Sequence, residues 1–223
     1  MLQLQRFNKA YFIGFIYILF FSSCAKDVLR GSGSVSSREL NLTNFKGVET
    51  HYDIDAHIIY GTQFKVTITG YDNLLNELDC QVINGILKLT FKNQYHSVKN
   101  SNVKAVIEMP DLQFLGIYGS GNLFAKNFAQ GNKLNLHIHG SGDIEVQKSV
   151  YQELVLRING SGNINTKDTQ TNSADVAING SGDIYVKPTT LLKAAINGSG
   201  NIYYYGNPQI TITQNGSGRI IKK

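Results

Sequence analysis

From about residue 112 to the end of the chain, apolar and polar side chains alternate with a period of two, and the tripeptide Gly-Ser-Gly interrupts the alternation at near-regular intervals. The tripeptide begins at Gly119, Gly140, Gly160, Gly180, Gly198 and Gly216, so successive copies lie 21, 20, 20, 18 and 18 residues apart. Two positions before each copy stand Ile117, Ile138, Ile158, Ile178, Ile196 and then Gln214. Four positions before stand Leu115, Leu136, Leu156, Val176, Ala194 and Ile212. After each copy comes a polar residue (Asn122, Asp143, Asn163, Asp183, Asn201, Arg219), then an aliphatic one (Leu123, Ile144, Ile164, Ile184, Ile202, Ile220). Such a unit reads as strand, tight corner, strand. Its aliphatic side chains share one face, and His137, Glu145, Arg157, Tyr185 and Tyr203 share the other.

A single unit cannot bury its apolar face alone, and a repeat near 20 residues predicts that units stack and cover one another. At a strand spacing of ~4.8 Å, six corners would span about 24 Å. The expected fold class is therefore all-β, a parallel β-helix or β-solenoid with repeats of 18–21 residues, preceded by short irregular strands. Twelve glycines then have a positional task at the corners: Gly119, Gly121, Gly140, Gly142, Gly160, Gly162, Gly180, Gly182, Gly198, Gly200, Gly216 and Gly218. A chain that turns sharply against identical turns above and below is expected to need positive φ and no Cβ.

Upstream, alternation predicts strands over 48–60, 64–69, 81–91 and 103–109. Asn84-Gly85 marks a tight turn, and residues 72–78 suit one helical turn. No segment is long enough for the crossover helices of a parallel α/β sheet. With 22 glycines, 3 prolines and 17% charged residues, the composition excludes collagen, coiled coil and charge-rich disorder. The net charge of +5 is spread along the chain, with no basic run longer than Lys222-Lys223, so nucleic acid is not an expected partner.

Arg6 and Lys9 precede an uninterrupted apolar run over residues 10–21, the profile of a secretory signal. As a helix that run would rise only about 18 Å, short of the ~30 Å needed to cross a bilayer. It ends in Phe21-Ser22-Ser23-Cys24, which resembles a bacterial lipobox with Phe21 in the place of the usual Leu or Val. An uncleaved anchor or a plain signal peptide are the other readings, and no A-x-A site is present. The expected organisation is a signal over 1–23, a lipidated Cys24, a flexible Gly/Ser-rich tether over 24–37 and a folded domain over 38–223. Three acyl chains, as the likeness to bacterial lipoproteins implies, would hold the protein in the cell envelope, at the outer membrane, at ~0.8 kcal/mol per buried CH₂. Lipidation of Cys24 would leave Cys80 without a disulfide partner, as a structural thiol on a strand.

Several residues carry candidate chemistry. Asp143 and Asp183 fall two rungs apart with Asn163 between them, about 9.6 Å by rung spacing. That is near the ~6.5–9.5 Å of inverting glycosidases, but Asp and Asn at this position serve the turn, hydrogen-bonding their own backbone. His137 and His139 share a strand face without further ligands, and the Gly-Ser-Gly-Asp period is twice that of calcium-binding repeats, so no metal or other cofactor is expected. Asn159, Asn179, Asn197 and Asn215 form an amide ladder, inward or lateral. Tyr185, Tyr203 and Tyr205, with Tyr204, form an aromatic surface for a sugar or a protein, or alternatively a cap on the last rungs.

The Phe45-Lys46-Gly47-Val48 entry, Val66-Thr67-Ile68-Thr69-Gly70 followed by Asp72-Asn73-Leu74-Leu75, Gly85-Ile86-Leu87-Lys88-Leu89 and the Ile-Asn-Gly-Ser-Gly-[Asn/Asp]-Ile units resemble the head GIN domain family of autotransporter adhesins, over residues 33–223. The resemblance implies a β-solenoid, often a lipid anchor, no catalytic residues, and adhesion to a glycan or surface protein. A polysaccharide-cleaving β-helix enzyme and a purely structural envelope protein are the alternatives.

Overall fold

The computed structural model describes residues 27–92 and 95–223. The chain is all-β, with one four-residue helix, Asp72–Leu75, among the described residues. Seventeen strands form one curled, mixed sheet, and Asp27–Arg30 pairs in parallel with Tyr95–Lys99 as a separate ribbon.

Most of the large sheet is parallel, and its register repeats the sequence period. Phe114–Gly119 lies beside Gly131–Ile138, which lies beside the second half of Ile144–Gly160. The second half of Ile164–Gly180, then Pro188–Gly198 and Gln209–Asn215, follow in turn. Past the corners the order repeats with Leu123–Lys126, the first halves of the two long strands, Ile184–Val186, Ile202–Tyr204 and Ile220–Lys222. The register holds aliphatic residues in continuous columns. Leu115, Leu136, Leu156, Val176 and Ala194 are buried in one wall, and Leu123, Ile144, Ile164, Ile184 and Ile202 in the other. Each large aliphatic side chain so removed from water contributes roughly 1.5–3 kcal/mol.

The sheet is mixed because the N-terminal third adds antiparallel pairs. Lys65–Tyr71 runs antiparallel to both Val35–Leu40 and Lys104–Met109, and Leu78–Ile83 forms a hairpin with Ile86–Phe91 across Asn84-Gly85. Asn84 and Gly85 both have positive φ, 51° and 75°. Residues 48–60, expected as one strand, fall in two, Gly47–Tyr52 and Asp55–Tyr60, joined by a corner at Tyr52-Asp53-Ile54. They pair in register with Phe114–Gly119 and Leu123–Lys126, so they are a further rung without the tripeptide.

Why that corner lacks glycine is explained by the corners that have it. A Cβ on Gly142 would lie 1.8 Å from the carbonyl oxygen of Gly121, one rung earlier, and a Cβ on Gly119 would lie 1.9 Å from the Tyr52 oxygen. Each glycine makes room for the rung before it. The walls beneath Tyr52 and Asp55 are Ile86–Phe91 and Lys104–Met109, which no tight corner joins, so side chains fit there. Close approach, more than left-handed backbone, sets the glycine requirement. Positive φ occurs at the first glycine of four corners, such as Gly216 at 132°, and at no second glycine.

The stretch 24–37, expected as a flexible tether, is structured from Asp27 onward. Gly31 N–H donates to Lys99 O at 2.9 Å, Asn100 Nδ2 donates to Gly31 O at 2.8 Å, and the Ser34 and Ser36 hydroxyls hold the Asp72 carboxylate. The signal expected over 1–23 and the expected lipidation site Cys24 lie outside the described residues.

Candidate functional site

Because rungs stack in register, polar residues outside the core also form columns. The most ordered runs along the corners: Asp55, Asn122, Asp143, Asn163, Asp183, Asn201 and Arg219. Each backbone N–H from Asn122 to Arg219 donates to the side-chain Oδ1 one rung earlier, at 2.7–3.1 Å. Where the acceptor is a carboxylate, the next asparagine adds its Nδ2–H: Asn122 to Asp55 at 3.3 Å, Asn163 to Asp143 at 3.0 Å and Asn201 to Asp183 at 3.1 Å. These side chains therefore bond the neighbouring rung rather than their own backbone, which corrects the expectation from turn chemistry. Alternation of Asp and Asn places a neutral amide between carboxylates that would otherwise repel across ~4.8 Å. Lys104 pairs in register with Asp55, so the column carries a cation at each end.

Asp143 and Asp183 thus share a column, with one oxygen of each taken by two donors and Asn163 between them. They do not face each other across an open cleft.

A second column runs along the outer face as His51, Tyr118, His139 and then the asparagines. The rings stack, His51 on Tyr118 at 5.1 Å and 12°, Tyr118 on His139 at 4.9 Å and 7°. Asn159, Asn179, Asn197 and Asn215 continue it on the exposed side, Asn179 Nδ2 donating to Asn159 Oδ1 at 2.9 Å. The amide ladder is lateral. His137, two residues from His139, instead meets Phe114 edge-on at 5.4 Å. Burial first, then the charge of Arg157 and the neighbouring His139, lower the His137 pKa below the ordinary histidine value. Among the described residues, no three of His, Cys, Asp and Glu gather to hold a metal.

The aromatic surface is partly assembled. Tyr185 and Tyr203 stack at 4.8 Å and 13°, and the Lys223 ammonium sits 5.0 Å from the Tyr203 ring centre. Stacking covers the facing side of each ring. Burial, then Asp183, Tyr203 and Tyr205, raise the Tyr185 phenol pKa. Tyr204 is in register with Val186 instead, and Tyr205 follows it past the strand end. Cys80 is half-buried, its thiol pushed up to about 12 by burial and then by Asp79, so at neutral pH it is not a nucleophile.

One feature escaped sequence reasoning. Beside the glycine-free corner, Tyr52, Asp53, His96, Val98, Ser120 and Ser141 line a cleft of about 400 Å³. Asp53 Oδ1 has no hydrogen-bond partner, and burial raises the Asp53 pKa. Residues from four separate segments meet there, and no local motif announces it.

The family profile described as "Putative auto-transporter adhesin, head GIN domain" matches residues 44–208. The chain belongs to the head GIN domain family. Its fold is similar to that of a putative adhesin from Bacteroides fragilis, with 22% identity over 87% of this chain and 100% of that one and a TM-score of 0.70. A putative adhesin from Parabacteroides merdae (22% identity, 88% and 99% covered, TM-score 0.60) is also similar. So is a protein from Parabacteroides distasonis named a putative lipid binding protein (22%, 88% and 100%, TM-score 0.60). At these identities the likeness is one of fold. No curated protein sequence matches the chain.

Proposed function

We propose that this member of the head GIN domain family is a non-enzymatic cell-envelope lipoprotein, tethered at the outer membrane through Cys24, whose β-solenoid displays an adhesive surface for a glycan or surface protein. Parallel pairing at offsets of 18–21 residues supports reading the large sheet as a solenoid. The carrying observation is that Asp143 and Asp183, the two carboxylates spaced for hydrolysis, are both committed to rung-to-rung hydrogen bonds. What faces outward is a set of repeated columns, the pattern a repeat scaffold uses for recognition over an extended surface. The Tyr185 and Tyr203 hydroxyls and the exposed asparagine ladder are its most regular hydrogen-bonding groups.

Purified protein applied to arrays of glycans and matrix proteins tests the reading. Retention that weakens when Tyr185 and Tyr203 are replaced by alanine is expected. Cleavage of a polysaccharide, lost in Asp143→Asn or Asp183→Asn, would assign the chain to the carbohydrate-active enzymes instead. Radiolabelled palmitate appearing on the wild type and not on Cys24→Ser checks the anchor.

A further inference from the structure

At the N-terminal end the two walls of the fold do not close on one another. Leu78–Ile83 is the outermost strand of one wall and, among the described residues, pairs only with Ile86–Phe91. Val35–Leu40 is the outermost strand of the other and, among the described residues, pairs only with Lys65–Tyr71. Between them lies a cavity of about 340 Å³ with an apolar lining of Leu40, Leu42, Ile68, Leu75, Leu78 and Cys80. Ile68 and Leu75 belong to the buried core, while the other four are half-buried. The groove is therefore the open end of the hydrophobic interior, and its volume falls within the ~300–1,000 Å³ of small-molecule sites.

A cation stands at its rim. Arg38 Nη1–H donates to Leu75 O at 3.2 Å and Nη2–H to Asn76 Oδ1 at 2.7 Å, both uncharged acceptors. Of the acids nearby, Glu39 is paired with Lys65 at 3.9 Å, and Asp72, which feels the Arg38 charge, is bound by the Ser34 and Ser36 hydroxyls. No carboxylate among the described residues forms an ion pair with Arg38. A guanidinium has five N–H donors in a planar fork suited to a carboxylate, so donors and charge both remain beside the apolar slot. An apolar slot with an oriented cation at its mouth complements an amphiphile that has one chain and an anionic end.

We propose that this groove binds a long-chain fatty acid, its acyl chain against Leu40, Leu42, Leu78 and Cys80 and its carboxylate on Arg38. The assignment stands apart from the adhesive columns and holds or fails independently of them.

Photocrosslinking of the full chain with a diazirine-bearing palmitic acid, followed by peptide mapping, tests it. Crosslinks confined to residues 38–42 and 75–80 are expected. Arg38→Gln, whose side chain is exposed and still a hydrogen-bond donor, should weaken binding of the acid about tenfold. Binding of the matching diazirine fatty alcohol should change less than about twofold, since the alcohol carries no charge to lose. An unchanged unfolding midpoint in Arg38→Gln separates lost recognition from lost folding. The proposal is overturned by labelling scattered over the outer columns, or by equal labelling with acid and alcohol in both proteins. It is overturned equally by a groove that rejects the acid while a bound peptide protects the amides of 35–40 or 78–83.

Discussion

Replacing Gly142 by alanine isolates the contact on which the rung stack depends. The added Cβ would lie 1.8 Å from the Gly121 carbonyl oxygen, whereas a carbon and an oxygen in contact rest about 3.3 Å apart. Relief requires the corner to move by roughly 1.5 Å away from the rung before it. That motion stretches the Ser141 N–H bond to Gly119 O, now 2.9 Å, and the Asp143 N–H bond to Asn122 Oδ1, now 3.0 Å, beyond hydrogen-bonding range. Two hydrogen bonds at about 1 kcal/mol each, with donors left poorly satisfied beside a buried glycine, give a loss of about 3–5 kcal/mol. For a domain of ordinary stability, ~5–15 kcal/mol, that is about a fifth or more of the total. Guanidinium unfolding of the purified protein, followed by circular dichroism, measures it. Ser141→Ala, on the exposed tip of the same corner, should stay within about 0.5 kcal/mol of wild type. Gly33→Ala, with open space around its Cβ but φ of 93°, should cost about 1 kcal/mol from backbone strain alone. A Gly142→Ala protein within about 1 kcal/mol of wild type at an unchanged m-value would refute close approach as the reason for the glycines.

The corner column makes a paired prediction. Asp183→Ala leaves Asn201 N–H and Nδ2–H without their acceptor and should cost about 1–3 kcal/mol, while Asp183→Asn keeps an acceptor oxygen and should cost under about 1 kcal/mol, both read from the same unfolding curves. The raised Cys80 pKa predicts alkylation by iodoacetamide near pH 8 that is far slower than for an unhindered cysteine, becoming comparable once the protein is unfolded. Because folding lowers the His137 pKa, the folded state binds fewer protons than the unfolded one below the usual histidine value of ~6.5. The His137 contribution is therefore flat above about pH 6.5 and falls as pH drops through that value toward the folded pKa. His137→Gln should flatten the decline between about pH 7 and pH 5.

Local sequence carried much of the fold because one short motif repeats in a stacked register. Period-two alternation around Ile138, Ile158 and Ile178 named the inward face, and the tripeptide named the corners. It was blind where a rung lacks the tripeptide. Tyr52-Asp53-Ile54 makes the same corner, yet no glycine marks it because no equivalent corner lies beneath. The antiparallel additions at Val35–Leu40 and Lys65–Tyr71 were equally hidden, since their pairing is long-range and alternation gives no direction. Composition also misled at the tether, where Ser34 and Ser36 look like linker residues but hold Asp72. Thr166, Thr169 and Thr171 are polar yet buried, each hydroxyl donating to a backbone carbonyl, as Thr169 Oγ1 does to Val146 O at 2.9 Å. The site was legible only as far as columns are. Sequence period places Asp143 above Asn163, but whose backbone they bond, and the meeting of Asp53 with Ser120 and His96 in a cleft, are set by the folded chain.

Adhesion without turnover is the central claim, and one experiment addresses it directly: incubating the purified protein with immobilised glycans and matrix proteins while assaying the supernatant for new reducing ends or unsaturated sugars. The account predicts retention on a surface, weakened in the Tyr185→Ala, Tyr203→Ala double variant, with no product released. Product release abolished by Asp143→Asn, or failure to bind any surface offered, would contradict it.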